Sequence, residues 1–323
     1  ALGDDSRDGD PTVIELETLA AEMTGKEAGL LNPSGTMSNL VAMRTHVEFG
    51  ATAIVEESAH LYGAEIGGIA AACGLLVLPV KGHYGAMDLD ALTWATKKVP
   101  TLFPTPGLVC LENTHNAAGG AVIPLDHMEQ AAGIARDRGL AVHLDGARIF
   151  NASVALGVDA AAIAKDADTV SFCLSKGLSA PIGSVLTGPK NFIDRARMVR
   201  RAMGGTFRQA GIIAAPGLIG LRELIDRLAD DHQNARIFAE GVAAMEGLSV
   251  DLASVQSNII NVNVGGLGID AATFASHLDP LRVRGLPGMG DVVRFVTFRN
   301  ITLEDIHEAL SIIGAMMDQR PWD

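Results

Sequence analysis

The hydrophobic positions of the first two thirds of the chain fall into short continuous runs separated by longer stretches with helical spacing. Runs at 52–55, 75–80, 108–111, 140–144, 169–174 and 183–186 have strand length. They lack the polar alternation of a half-exposed strand, so they predict strands buried on both faces. The middle runs are each followed by a candidate helix, such as 125–138 after the run ending at Leu111. Strand, helix, strand repeated in this way predicts an α/β fold with a mainly parallel sheet covered by helices. Ligands bind such sheets beyond the carboxyl ends of the strands, and Glu112, Asp145 and Ser175-Lys176 occupy those positions.

The pattern changes near residue 210. A long helical region, 210–245, is expected to kink or break at Pro216-Gly217. Strand-like segments follow at 258–264, 281–284 and 292–298, closed by an amphipathic stretch at 303–317. This predicts a large domain over 1–228 and a small α+β domain over 229–323. A length of 323 residues agrees with about two domains and allows roughly three quarters of the unfolded surface to be buried.

Charge and cysteine usage narrow the function. With 25 basic and 38 acidic residues the net charge is −13, which argues against a nucleic-acid partner. The one dense basic group, Arg195, Arg197, Arg200 and Arg201, fits a solvated helix face. Cys73, Cys110 and Cys173 are odd in number and set in apolar sequence, which predicts buried free thiols in a reducing compartment and neither disulfides nor a metal centre. The longest apolar stretch, 211–221, is too short to span a bilayer, and no basic-then-apolar signal opens the sequence. A soluble, cytoplasmic protein without a membrane partner is expected.

Three motifs carry the chemistry. The apolar run 169–174 ends in Ser175-Lys176-Gly177, which presents an amine at a strand end, and the run 140–144 ends in Asp145-Gly146-Ala147-Arg148. Taken singly, Asp145 could cap a helix and Lys176 could be a surface lysine. On the ends of successive strands they suit pyridoxal phosphate: the carboxylate pairs with the protonated pyridine nitrogen and the lysine forms the Schiff base with the aldehyde. Upstream, Asn32-Pro33-Ser34-Gly35-Thr36 places a tight turn before a helix whose apolar positions include Met37, Leu40 and Val41. Backbone amides at such a helix start form an anion site suited to a phosphate, with Gly35 permitting close approach and Ser34 and Thr36 adding hydroxyls.

At these residues the sequence resembles the threonine aldolases, pyridoxal-phosphate enzymes of fold type I. The matching segments span nearly the whole chain. They include Gly3-Asp4-Asp5, Asp10-Pro11-Thr12-Val13, Pro33-Ser34-Gly35-Thr36-Met37-Ser38-Asn39, Leu111-Glu112-Asn113-Thr114-His115-Asn116, His143-Leu144-Asp145-Gly146-Ala147-Arg148, Cys173-Leu174-Ser175-Lys176-Gly177-Leu178, Arg208-Gln209-Ala210-Gly211 and Val293-Arg294-Phe295-Val296-Thr297. The resemblance implies that His60 stacks on the pyridine face and that His115 is a second active-site histidine. Either imidazole could act as, or support, the base for a substrate hydroxyl. It further implies Arg148 near the phenolic oxygen and the substrate carboxylate, Arg208 near the phosphate, and Arg294 as the bidentate grip on that carboxylate. The implied reaction is retro-aldol cleavage of a β-hydroxy-α-amino acid to glycine and an aldehyde. The implied assembly is a homo-oligomer, a dimer of dimers.

The sequence departs from the family pattern at several points. Family members carry an Arg-Ser-Asp-Thr segment whose serine contacts the substrate carboxylate, and this sequence starts after it. Where the family has Val-Tyr-Gly, its tyrosine reaching a neighbouring subunit's site, Ser6-Arg7-Asp8 stands here; Ala64 replaces an aromatic residue four after His60, and Phe298 replaces a histidine. Arg7 is therefore expected to meet the substrate, with the enlarged pocket favouring a bulkier or acidic β-substituent. A racemase or a β-eliminating lyase would use the same cofactor residues and break a different bond at Cα. A non-catalytic member would have no need of Lys176, Asp145, His60, His115 and Arg294 together.

Overall fold

A computed structural model describes residues 3–7, 9–98, 105–288 and 290–322. The chain forms two compact units, one of Ala1–Ala117 with Val122–Asp226 and one of Ala118–Ala121 with Arg227–Asp323.

The first unit is built on a seven-stranded sheet of β1 (Ala28–Asn32), β2 (Thr52–Glu56), β3 (Leu76–Val80), β4 (Pro106–Glu112), β5 (Ala141–Asp145), β6 (Thr169–Cys173) and β7 (Ser184–Gly188). Their order across the sheet is β1-β7-β6-β5-β4-β2-β3. All neighbours are parallel except at β7, which runs antiparallel to both β1 and β6. Strands β2, β6 and β7 are buried along their whole length, as unbroken apolar runs require when helices cover both faces. In register, Glu112 lies beside Asp145, so the parallel pairing brings two acidic strand ends together.

Two helices fix the edges of the future site. α1 (Pro11–Met23) starts on Pro11 and is capped by Asp10, whose carboxylate accepts from the amides of Thr12 and Val13 and also from Gly3 and Gly211. α2 (Gly35–His46) begins where the Asn-Pro-Ser-Gly turn predicts, with the Ser34 hydroxyl accepting from the Met37 amide. A short hairpin, Gly82–His83 with Ala86–Met87, lies beside the sheet.

The structure corrects several expectations. β1 has no counterpart among the strand-length runs, because five residues containing a glycine carry little strand signal. The long helical region divides at 224–227 rather than at Pro216. Pro216 sits inside the helix Gly211–Glu223, and a second helix runs Leu228–Ala243. The basic group is only partly solvated. Arg200 is 1% exposed and donates to the Leu31 carbonyl and to Asp5, while Arg197 pairs with Glu17 at 2.8 Å.

The second unit holds a four-stranded antiparallel sheet of Ser249–Val250, Ile259–Asn263, Val292–Val296 and Leu286–Pro287, in that order. The segment 281–284 is not a strand: a 3-10 turn, Asp279–Leu281, runs into it and Arg282, at φ +64°, ends that turn. The helix Leu303–Gln319 begins with a reciprocal cap between Thr302 and Asp305, and its apolar face joins Phe238, Ile260, Phe274 and Val293 in the core. Among the described residues no helix is long and apolar enough to cross a membrane.

Phe172, at 1% exposure on β6, meets Phe150 edge-on at 5.2 Å and anchors the centre of the first unit. Phe172→Ala is expected to cost about 3–5 kcal/mol through lost burial and an unfilled cavity. Urea denaturation monitored by far-ultraviolet circular dichroism measures it.

Candidate active site

A cavity of about 290 Å³ opens at the carboxyl ends of β5 and β6 and the start of α2, lined by Ser34, Gly35, Thr36, His60, Asp145 and Lys176, together with Asn39, Glu65, Cys173 and others. A larger cleft of about 400 Å³ in the second unit is lined by Phe238, Ile260 and Phe295 and has no lysine.

Asp145 ends β5 pointing into the interior, 2% exposed. One carboxylate oxygen accepts from the Ala147 amide at 3.1 Å and the other from the Asn39 side-chain amide at 2.9 Å. The same Asn39 nitrogen donates to Glu65 Oε1 at 3.1 Å. On its other side Asn39 Oδ1 accepts from Ser171 Oγ at 2.5 Å and from His143 Nε2 at 3.1 Å. Two carboxylates on one side require Asn39 to present its NH₂ there, so the carbonyl faces the serine and the histidine, and His143 carries its proton on Nε2. His143 Nδ1 meets Thr169 Oγ1 at 2.9 Å, and His46 Nε2 reaches the same hydroxyl at 2.7 Å. Burial pulls both imidazoles down to about 3, so this chain of groups is neutral.

Lys176 lies half-buried beyond β6, its charge acting on the Cys173 thiol. Burial raises that thiol's pKa while the Lys176 ammonium opposes the rise. Close approach of α2 to β6 is possible because residue 35 is glycine: a Cβ there would lie 2.7 Å from Cys173 Sγ.

His60 begins the turn His60–Gly63 after β2 and lines the cavity. Its amide donates to Glu112 Oε2 at 2.6 Å, and its Nδ1 lies 3.2 Å from Glu65 Oε1. The Glu65 contact raises the His60 pKa against the pull of burial, with Asp145 and Glu112 adding to the rise.

His115 is placed differently. It is fully buried and is not among the residues lining the cavity. Its Nε2 lies 3.1 Å from Glu56 Oε2 and 3.9 Å from Glu112 Oε2, and Gly85 of the hairpin packs on its ring so closely that a Cβ there would lie 2.3 Å from Cγ. Burial lowers its pKa, but the Glu56 and Glu112 carboxylates outweigh that and the net shift is upward. Burial in turn pushes the Glu112 carboxyl up, the nearby His115 charge opposing it.

No arginine of the first unit is among the described residues lining the cavity. Arg148 precedes the helix Ile149–Leu156, half-buried and outside the cavity lining, with its charge felt at Cys173. Arg208 is exposed and donates to Asp4 at 3.2 Å and Ser6 at 2.8 Å. Arg7 is exposed in the turn bridged by Asp4 and Gly9. Arg294 is half-buried on the strand Val292–Val296 of the second unit, opposite Asn261. The structure thus gathers Lys176, Asp145, His60 and the Ser34–Thr36 turn around one cavity and sets His115, Arg148, Arg208 and Arg7 of the same unit outside its lining. It adds Asn39, Glu65 and His143. Asn39 and His143 stood within the quoted motifs without a role, and Glu65 belonged to none of them.

The mainly parallel seven-stranded sheet with this strand order is the fold of the fold type I class of pyridoxal-phosphate enzymes. Residues 1–264 match the family model described as β-eliminating lyase. The chain is 39% identical over 321 residues to low-specificity L-threonine aldolase 1 of Arabidopsis thaliana, covering 98% of this chain and 90% of that one. It is 38% identical over 308 residues to low specificity L-threonine aldolase of Escherichia coli K12, covering 95% and 90%. The solved structure of Leishmania major threonine aldolase superposes with a TM-score of 0.81 at 18% identity, over 98% of this chain and 92% of that one. The chain belongs to the threonine aldolase family of β-eliminating-lyase-like proteins.

The depressed imidazoles make acid stability testable. Unfolded histidine titrates near 6.5, whereas folded His143 and His46 titrate at about 3. Between those values the unfolded chain binds more protons, so their contribution is complete above about pH 6.5 and is lost as pH falls. His143→Gln is expected to flatten the dependence of unfolding free energy on pH by about one proton, ~1.4 kcal/mol per pH unit, between about pH 6 and about pH 4. Denaturant titrations across that range give the slope.

Proposed function

We propose that the protein cleaves a β-hydroxy-α-amino acid of the L-threonine or L-allo-threonine type to glycine and an aldehyde, using pyridoxal 5'-phosphate. The observation that carries this is the convergence of Lys176, Asp145, His60 and the start of α2 on a single cavity. The donor set fits the cofactor. It offers an amine for the aldehyde, a buried carboxylate for the ring nitrogen, an imidazole for the ring face, and helix-start amides with the Ser34 and Thr36 hydroxyls for the phosphate. The glycine at 35 leaves room where a side chain would fill the space.

When bound, the cofactor supplies the electron sink for the bond broken at Cα. Lys176, whose amine lines the cavity, would hold the cofactor through its aldehyde. Asp145, oriented by Asn39 and the Ala147 amide, keeps the proton on the pyridine nitrogen. Arg294 and Arg148 would bind the substrate carboxylate, and Arg208 would serve the phosphate. His60, or a water it holds, receives the β-hydroxyl proton, since its ring lines the cavity. His115 supports that step through Glu112, which holds the His60 amide. The assembly is a homo-oligomer, a dimer of dimers, in which the exposed Arg7 of one subunit serves a neighbour's site; with Ala64 in place of an aromatic residue, it favours larger or acidic β-substituents. Three buried free cysteines accord with a cytoplasmic protein.

The test is product analysis with threonine, allo-threonine, phenylserine and 3-hydroxyaspartate in the presence of pyridoxal phosphate. Glycine and the matching aldehyde are expected in equal amounts; a racemised amino acid or an oxo acid with an expelled β-substituent would overturn the proposal. Lys176→Ala is expected to abolish borohydride-trappable attachment of the cofactor and all turnover, as peptide mass mapping would show. Arg294→Ala is expected to raise KM about ten- to a hundred-fold, the loss of a charged hydrogen-bonded contact, with a smaller fall in kcat. Steady-state kinetics on the best substrate read this out.

A further inference from the structure

Glu65 has no part in the chemistry described so far, yet its surroundings are costly. Its side chain is fully buried. Oε1 accepts from Asn39 and meets His60 Nδ1, while Oε2 is buried with no hydrogen-bond partner among the described residues. No lysine or arginine pairs with it among the described ion pairs. A second carboxylate, Asp145, shares the same Asn39 amide, and one ligand atom from each of His60, Glu65 and Asp145 lies within 4.8 Å of the others. The chain turns sharply to put Glu65 there: Ile66, a β-branched residue, sits at φ +52° and Gly67 at +69°. A left-handed isoleucine is unfavourable and persists only where surrounding structure enforces it.

Two buried carboxylates with one shared neutral donor call for positive charge. His60 is the group at hand, and the groups acting on it are Glu65, Asp145 and Glu112. We propose, on the reading that the cavity binds pyridoxal phosphate, that Glu65 is a positioning residue: through Nδ1 it holds the resting His60 ring as a cation in a fixed plane, a charge the ring gives up before it serves as base, and through Asn39 it keeps Asp145 aimed at the ring nitrogen. The cluster of Glu65, Asp145 and cationic His60 then carries one net negative charge, which a protonated pyridine nitrogen balances. The cavity therefore selects the protonated cofactor before any substrate arrives. The upward shift of His60 agrees with this geometry.

The experiment follows the His60 imidazole by NMR in histidine-labelled, cofactor-free protein, assigned with His60→Asn, in the native chain and in Glu65→Gln. The native imidazole should titrate above the ordinary value of about 6.5. In Glu65→Gln the midpoint should fall by about one unit or more, the dissociation constant for pyridoxal phosphate should rise about tenfold or more, and the pH profile of kcat/KM should move with the imidazole. A native His60 titrating at or below about 6.5 overturns the proposal even if the variant does not fold. An unchanged midpoint and cofactor affinity in a folded Glu65→Gln overturns it as well. Absence of glycine and aldehyde from the native protein would instead overturn the proposed reaction, leaving the Glu65–His60 titration to be decided by its own measurement.

Discussion

The site depends on one buried amide. Asn39 on α2 donates to Asp145 at the end of β5 and to Glu65 beyond β2, and accepts from His143 on β5 and Ser171 on β6. Its four contacts use both ends of a side chain with no freedom to flip, because reversing it would set a carbonyl against two carboxylates. Helix α2 is thereby locked in rotation and height against the sheet. The same lock sets the helix start, with Ser34, Gly35 and Thr36, over the cavity.

Asn39 Oδ1 meets a neutral chain, His143, Thr169 and His46, while two other histidines face carboxylates, His60 with Glu65 and His115 with Glu56 and Glu112. The division follows burial and partners. His143 and His46 have hydroxyl and amide neighbours and lose their charge to desolvation; His60 and His115 have carboxylates within hydrogen-bonding or ion-pair distance and are shifted upward. Four histidines within one unit are thus shifted in two opposite directions, set by whether the adjacent oxygen belongs to a hydroxyl or a carboxylate.

The parallel sheet supplies the remaining constraint. Register places Glu112 beside Asp145, and β6 delivers Lys176 one strand further on, so acid and amine come from adjacent rigid elements rather than from loops alone. The antiparallel strand β7 then pairs with β6 and β1, bringing the turn before α2 to the same end of the sheet. Glycine at 35 allows that last approach, since any side chain would strike Cys173.

The local sequence by itself determined the strand and helix alternation, the strand-end positions of Asp145 and Lys176 and the capped start of α2. All of these rest on periodicity and turn chemistry confined to a few neighbouring residues. Tertiary structure decided what periodicity cannot express. β1 pairs only because β7 returns beside it, Pro216 is absorbed into a helix, and Arg200 is drawn inside by Asp5 and the Leu31 carbonyl. At the site, His60 and His115 look alike in sequence, each a polar residue after a strand; one lines the cavity, and the other is enclosed by Glu56 and the hairpin at Gly85. Glu65 and Asn39 lie 26 residues apart in sequence and meet in the core. A hydrogen bond between such residues leaves no local pattern in the sequence, because its partner is specified by the packing of whole elements.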